Sequence, residues 1–296
     1  MNTNESAIDV FHPIVGFLIL VSVMLFTVFT LDPIVIGLSL ISGIVYCIFL
    51  CGKSRFWRDL RFLTVIFLVL SLTNPLFSHE GESVLFFLNG NPITLEALLY
   101  GVDLSAMTCS VIIWGKCFSK IMTSDKVILL VGALFPRISL TISIVLRNIP
   151  LFKKRWREIK EAQSTMGYYS DESIMTRIQG NMKAFSALLT WAIEGSIDSG
   201  ASMLARGYGL GRRTRFTDRK FNAADLGMTI FVCAIDALII ILSYGCPKVS
   251  FYPRISGIRL ATPKICLYFS FSVISLMHAI IEITEKLRWK YYRSKI

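Results

Sequence analysis

Residues 14–51 read IVGFLILVSVMLFTVFT, then LDP, then IVIGLSLISGIVYCIFLC. Two apolar runs, 14–30 and 34–51, flank a break at Asp32-Pro33. A helix rises 1.5 Å per residue, so roughly 20 apolar residues cross a bilayer's hydrocarbon core. Neither run alternates with period two, as a transmembrane strand does. An open strand in lipid would also leave backbone donors unpaired. The stretch therefore predicts two membrane helices joined by a tight turn.

The same pattern recurs outward. Residues 62–77, 226–244 and 265–283 form further apolar blocks. Residues 92–118 form another, with Glu96 and Asp103 inside it. That block predicts either one long bent helix or a short helix followed by a span. The composition agrees. Hydrophobic residues make up 54% of the 296 and charged residues 17%, against about 45–50% and about 25% in soluble domains. Residues 1–12 carry no Lys or Arg, and no small-residue cleavage site follows the first block. It is read as a retained helix and not a signal peptide. Seven cysteines at 47, 51, 109, 117, 233, 246 and 266 show no metal-type spacing. They read as small buried side chains.

The net charge of +11 is unevenly placed. Residues 120–220 hold 17 Lys and Arg against 8 Asp and Glu, a net of +9. The positive-inside rule puts this stretch in the cytoplasm. It does the same for the expected loop with Lys53, Arg55, Arg58 and Arg61, and for the tail with Lys286, Arg288, Lys290, Arg293 and Lys295. Both termini are then cytoplasmic, and residues 78–92 lie outside. Lys248, Arg254, Arg259 and Lys264 oppose this scheme, because they fall in an outer loop. No nucleic-acid motif accompanies the basic charge, so nucleic acid is not expected as a partner. Anionic lipid headgroups of the bilayer suffice.

The expected fold class is all-α: a polytopic membrane protein of about six transmembrane helices with long cytoplasmic amphipathic helices. Its expected segments are 1–119, 120–222 and 223–296. In the middle segment Pro136 opens a helix, and Pro150 bends or restarts it. Phe152, Trp156, Ile159, Gln163 and Met166 then form a stripe at helical spacing. Gly167 is the expected stop. A second helix spans about 174–204. Gly195, Ser199 and Ser202 line one of its faces and lead to Arg206. Small residues let helices approach closely, so this face is the expected partner of the stripe. Gly207 and Gly209 end the helix.

Ala205-Arg206-Gly207-Tyr208-Gly209, followed by Gly211-Arg212-Arg213-Thr214-Arg215-Phe216, resembles the second Ala-Arg-Gly signature of the T component of energy-coupling factor (ECF) transporters. That family includes the cobalt-transporter permease CbiQ. Asn74-Pro75-Leu76-Phe77-Ser78-His79-Glu80-Gly81 resembles the family's third-span end. Phe135-Pro136-Arg137 and Leu146-Arg147-Asn148-Ile149-Pro150 resemble the start of its coupling helices. Ala162-Gln163 stands where its first signature begins. That signature ends Ala-Arg-Gly in the family and Thr165-Met166-Gly167 here, so Met166 occupies an arginine position.

The resemblance implies a scaffold in the plasma membrane of a prokaryote. Two ABC-type ATPases, which bind ATP and magnesium, would dock on the coupling helices. A small substrate-binding S component would reorient to deliver a vitamin or metal ion. Thr165, Met166, Gly167, Ala205, Arg206 and Gly207 would form the ATPase-coupling sites. The chain itself carries no phosphate-binding loop, HExxH pair or GxSxG elbow, so no catalysis, cofactor or metal is expected in it. Two other features stand apart. Asp236, inside an apolar block, is expected to pair within the bundle. His79, Glu80 and Glu82 form a solvated loop cluster. The rival readings are a self-sufficient permease, which needs a polar midplane site, and a membrane-embedded enzyme.

Overall fold

The computed structural model describes residues 12–78, 81–88, 91–168, 173–211, 221–247, 249–253, 256 and 262–293. It divides into two compact units. One joins Met1–Lys126 to Arg219–Ile296, and the other is Val127–Asp218. The first and last expected segments thus belong to one body.

In the first unit, α1 (Pro13–Phe29) starts where His12 Nδ1 accepts the Ile14 N–H at 3.3 Å. The Asp32-Pro33 break is a helix start. Asp32 accepts the Ile34 N–H at 3.2 Å, and Pro33 opens α2 (Pro33–Cys51). Gly52 alone links α2 to α3 (Lys53–Phe77), at a φ of +81° that favours glycine. This corrects the expected basic loop, because residues 53–61 form the first turns of α3. Their polarity misled the reading, yet a helix satisfies its own backbone whatever its side chains.

A short antiparallel hairpin follows, β1 (Val84–Leu88) with β2 (Asn91–Thr94). Then α4 (Leu95–Ile121) runs as one helix. Glu96 sits in its first turn, where the dipole favours a carboxylate, and accepts the Ser83 N–H at 3.3 Å. The C-terminal pair is α8 (Ala223–Gly245), opened by an Asn222–Asp225 capping box, and α9 (Thr262–Arg293). Between α4 and α8 the chain forms α5 (Ser124–Leu134), α6 (Pro136–Thr165) and α7 (Ile174–Ala205), which lie mostly in the second unit. Among the described residues, five helical segments are long and apolar enough to span: α2, Phe56–Phe77 of α3, α4, α8 and Thr262–Thr284 of α9. The 17 residues of α1 are also apolar. They rise about 26 Å, just under the hydrocarbon core of about 30 Å.

Helix α4 packs on α1, α2 and α3, while α9 packs on α2 and α8. Trp114 of α4 is fully buried and lies against Gly43 of α2, where an added Cβ would stand 3.1 Å from Nε1. Its indole N–H reaches Ser39 Oγ at 3.1 Å and the Ser39 carbonyl at 3.2 Å. Ser39 Oγ lies 2.6 Å from Thr27 Oγ1 and 2.8 Å from Ser110 Oγ. These hydroxyls tie α1, α2 and α4 together, as polar groups do when no water competes. Beside them His278 of α9 is fully buried, edge-on to Tyr46 at 5.1 Å and to Trp114 at 6.1 Å.

The α3–α4 contact depends on Gly101. A Cβ there would meet the Ser71 carbonyl at 2.8 Å and Asn74 Cβ at 3.1 Å. Asn74 in turn donates to the Ala97 carbonyl at 2.8 Å. Gly101→Val is expected to lower stability by about 1–3 kcal/mol through overpacking. Thermal unfolding of the detergent-purified protein measures it, and an unchanged transition would show that the helices separate freely here.

The second unit contains most of α5 (Ser124–Leu134), with α6 (Pro136–Thr165) and α7 (Ile174–Ala205). Pro136 opens α6 as expected. Pro150 lies inside α6 and does not restart it. Helix α6 packs on α7.

Candidate functional site

The second unit presents two helix ends of the same construction. At the end of α6, Gly167 adopts φ +81°. Its N–H bonds to the Ser164 carbonyl at 3.1 Å, and the Tyr168 N–H bonds to the Gln163 carbonyl at 3.2 Å. At the end of α7, Gly207 also adopts φ +81°. Its N–H bonds to the Leu204 carbonyl at 2.9 Å, and the Tyr208 N–H bonds to the Met203 carbonyl at 3.0 Å. Both are Schellman closures, which need a left-handed residue after the cap. Met166 and Arg206 hold the same position, with φ and ψ of −83° and 3° in one and −83° and 7° in the other.

Because the backbone closes each end, neither side chain is needed as a cap. Arg206 is exposed, and among the described residues its guanidinium has no hydrogen-bond or ion-pair partner. Met166 is 73% exposed, unusual for a large apolar side chain. Thr165 spends its hydroxyl on the Ala162 carbonyl at 2.7 Å, and Ala205 is exposed. The twin Tyr168 and Tyr208 were not singled out in the sequence, although each follows its glycine directly. Lys183 Nζ lies over the Tyr168 ring, 4.4 Å from its centroid.

The stripe of α6 is in place, with one correction. Phe152, Trp156, Ile159 and Gln163 are half-buried. Phe152 meets Trp191 of α7 edge-on at 6.0 Å, and Arg155 lies over the Trp191 ring at 5.5 Å. The small residues buried on α7 are Gly180 and Ala184. Gly195, Ser199 and Ser202 are exposed, and a Cβ on Gly195 would touch nothing within 4 Å. They are not the stripe's partner. The stripe meets α7 at the bulky Trp191, four residues before Gly195. Ser199 instead bonds back to the Gly195 carbonyl at 2.7 Å. A second stripe, Ile178, Met182, Phe185, Leu189, Ile193 and Ile197, runs exposed along α7.

Other sequence candidates are resolved singly. Asp236 accepts from Ser22 Oγ at 2.7 Å and so joins α8 to α1. Of the loop cluster, His79 and Glu80 lie outside the described residues, and Glu82 is exposed. Among the described residues no group of three or more His, Cys, Asp or Glu is arranged to hold a metal. Lys264, one of the four cations that opposed the topology, is buried 3.8 Å from Asp32 Oδ2. Lys248, Arg254 and Arg259 lie outside the described residues, as do Arg212, Arg213 and Arg215 of the extended signature.

No curated protein matches the sequence. The family model for CbiQ, cobalt transport protein, matches residues 5–216. That match takes in α1 to α7 and both glycine-closed tips. With its apolar spans and its all-α polytopic fold, the chain belongs to the CbiQ cobalt transport protein family, the T-component family of ECF transporters.

Proposed function

We propose that this membrane transport protein is the scaffold of an ECF-type importer. In this reading two partner ATPases bind ATP and magnesium and dock on the tips at 165–167 and 205–207. Their motion passes through α6 and α7 to a small membrane S component that carries a vitamin or metal ion. The plasma membrane of a prokaryote is the corresponding location.

The twin tips carry this reading. Two identically closed helix ends expose one side chain each at matching positions, as two similar receiving grooves require. A helix end in a groove is a common recognition mode. The guanidinium of Arg206 suits a carboxylate, which it grips with two parallel bonds. Methionine adapts to an irregular apolar groove. The exposed stripe on α7 supports a further membrane partner, since contiguous apolar faces mark interaction surfaces.

Affinity purification of the chain from its native membrane is expected to bring down two ATPases and a small membrane protein. The chain alone should hydrolyse no ATP. Turnover by the pure subunit, or uptake by liposomes that hold it alone, would sink the scaffold reading and favour an enzyme or a self-sufficient permease.

A further inference from the structure

At the end of the first unit opposite the α2–α3 turn, four helix ends converge around a cavity of about 210 Å³. Helix α1 ends at Phe29, α2 begins at Pro33, α8 ends at Gly245 and α9 begins at Thr262. The ends of apolar helices mark the level where hydrocarbon gives way to headgroups, so the cavity lies at headgroup depth. Its wall holds a buried ammonium, Lys264, which is 3% exposed. The neighbouring Asp32 carboxylate is 3.8 Å from Nζ and accepts from Tyr268 Oη at 2.9 Å and from the Ile34 N–H. Thr30 and Ser243 add hydroxyl donors to the lining, Asp32 adds its carboxylate, and Leu267 and Val249 add apolar side chains. Phe29, at 81% exposure, stands on the rim, and Tyr244, at 90%, is next to Ser243. Exposed aromatic rings at helix ends are typical of the lipid interface.

We propose that this cavity binds the phosphodiester headgroup of a membrane phospholipid. A phosphate oxygen needs charged and hydroxyl donors, and Lys264, Thr30 and Ser243 bring both kinds to the cavity lining. The apolar lining and the exposed Phe29 side chain offer contacts to the start of the acyl chains. A soluble anion would use the donors but leave these apolar groups without an occupant. A cavity of this size takes a headgroup and excludes a protein segment.

The test uses the full chain, purified in detergent, delipidated and offered phosphatidylethanolamine, with bound lipid read by native mass spectrometry. Wild type is expected to retain one lipid per chain. Ser243→Trp fills the cavity from an exposed position and leaves the ion pair intact, so retention should fall at least tenfold. The Asp32→Asn, Lys264→Met double variant removes both charges together and should show the same loss. Equal retention by wild type and both variants would overturn the proposal. So would saturation by inorganic phosphate or glycerophosphoethanolamine with no gain from acyl chains, because the site would then serve a soluble anion.

Discussion

Arg206→Ala is expected to cut substrate uptake by the assembled transporter roughly ten- to a hundredfold. A hydrogen bond to a charged partner contributes about 1.5–3 kcal/mol, and each 1.4 kcal/mol is a factor of ten. The guanidinium is not engaged elsewhere among the described residues, and the Gly207 and Tyr208 backbone bonds close the helix without it. The substitution should therefore leave folding unchanged and remove the proposed contact with the ATPase. Arg206→Lys should recover part of the activity, since an ammonium keeps the charge but not the planar fork. Met166→Ala should cost less. Its side chain stands mostly in solvent before docking, so truncation forfeits less than the 2–5 kcal/mol of a tight core. Uptake and ATP hydrolysis of the complex are the readouts. Loss of uptake in Met166→Ala with a nearly silent Arg206→Ala would reverse the two roles.

Asp32→Ala is expected to destabilise the first unit by about 3–5 kcal/mol, because it removes the carboxylate that faces a buried ammonium. The carboxylate does three things at once. It caps α2 through the Ile34 N–H, accepts from Tyr268, and faces Lys264. Asp32→Asn keeps an acceptor for the cap and for Tyr268 while removing the charge, so the difference between the two variants isolates the electrostatic part. Thermal unfolding in detergent measures both. A wild-type transition in Asp32→Ala would show that Lys264 is neutralised by other means.

The helices of the first unit were legible because lipid-length apolar runs permit little else. Their edges were less so. The start of α3 was hidden by basic residues 53–61, and hydropathy cannot tell a polar loop from a polar helical turn. The β1–β2 hairpin was legible only in part, because Asn89-Gly90 is a strong hairpin-turn signal but Val84–Leu88 reads VLFFL, without alternation. Gly167 and Gly207 were legible because a left-handed stop has a residue preference of its own. The partner of the α6 stripe was not. Spacing reveals which residues share a face, but not where along a helix its partner meets it, and here Phe152 meets Trp191. The seam of Thr27, Ser39, Ser110 and Trp114 was equally invisible, since isolated hydroxyls in apolar runs carry no mark of what they meet.

The Asp32–Lys264 pair has a consequence for biogenesis. Asp32 follows the first helix, whereas Lys264 and Tyr268 belong to the last, and Tyr268 and Asp32 are 236 positions apart. During synthesis the first hairpin waits with an unmatched carboxylate until nearly the whole chain has left the ribosome. Docking of the final helix brings the facing ammonium. A chain truncated before Thr262 lacks that counter-ion and should be degraded faster than full-length protein in a pulse-chase experiment.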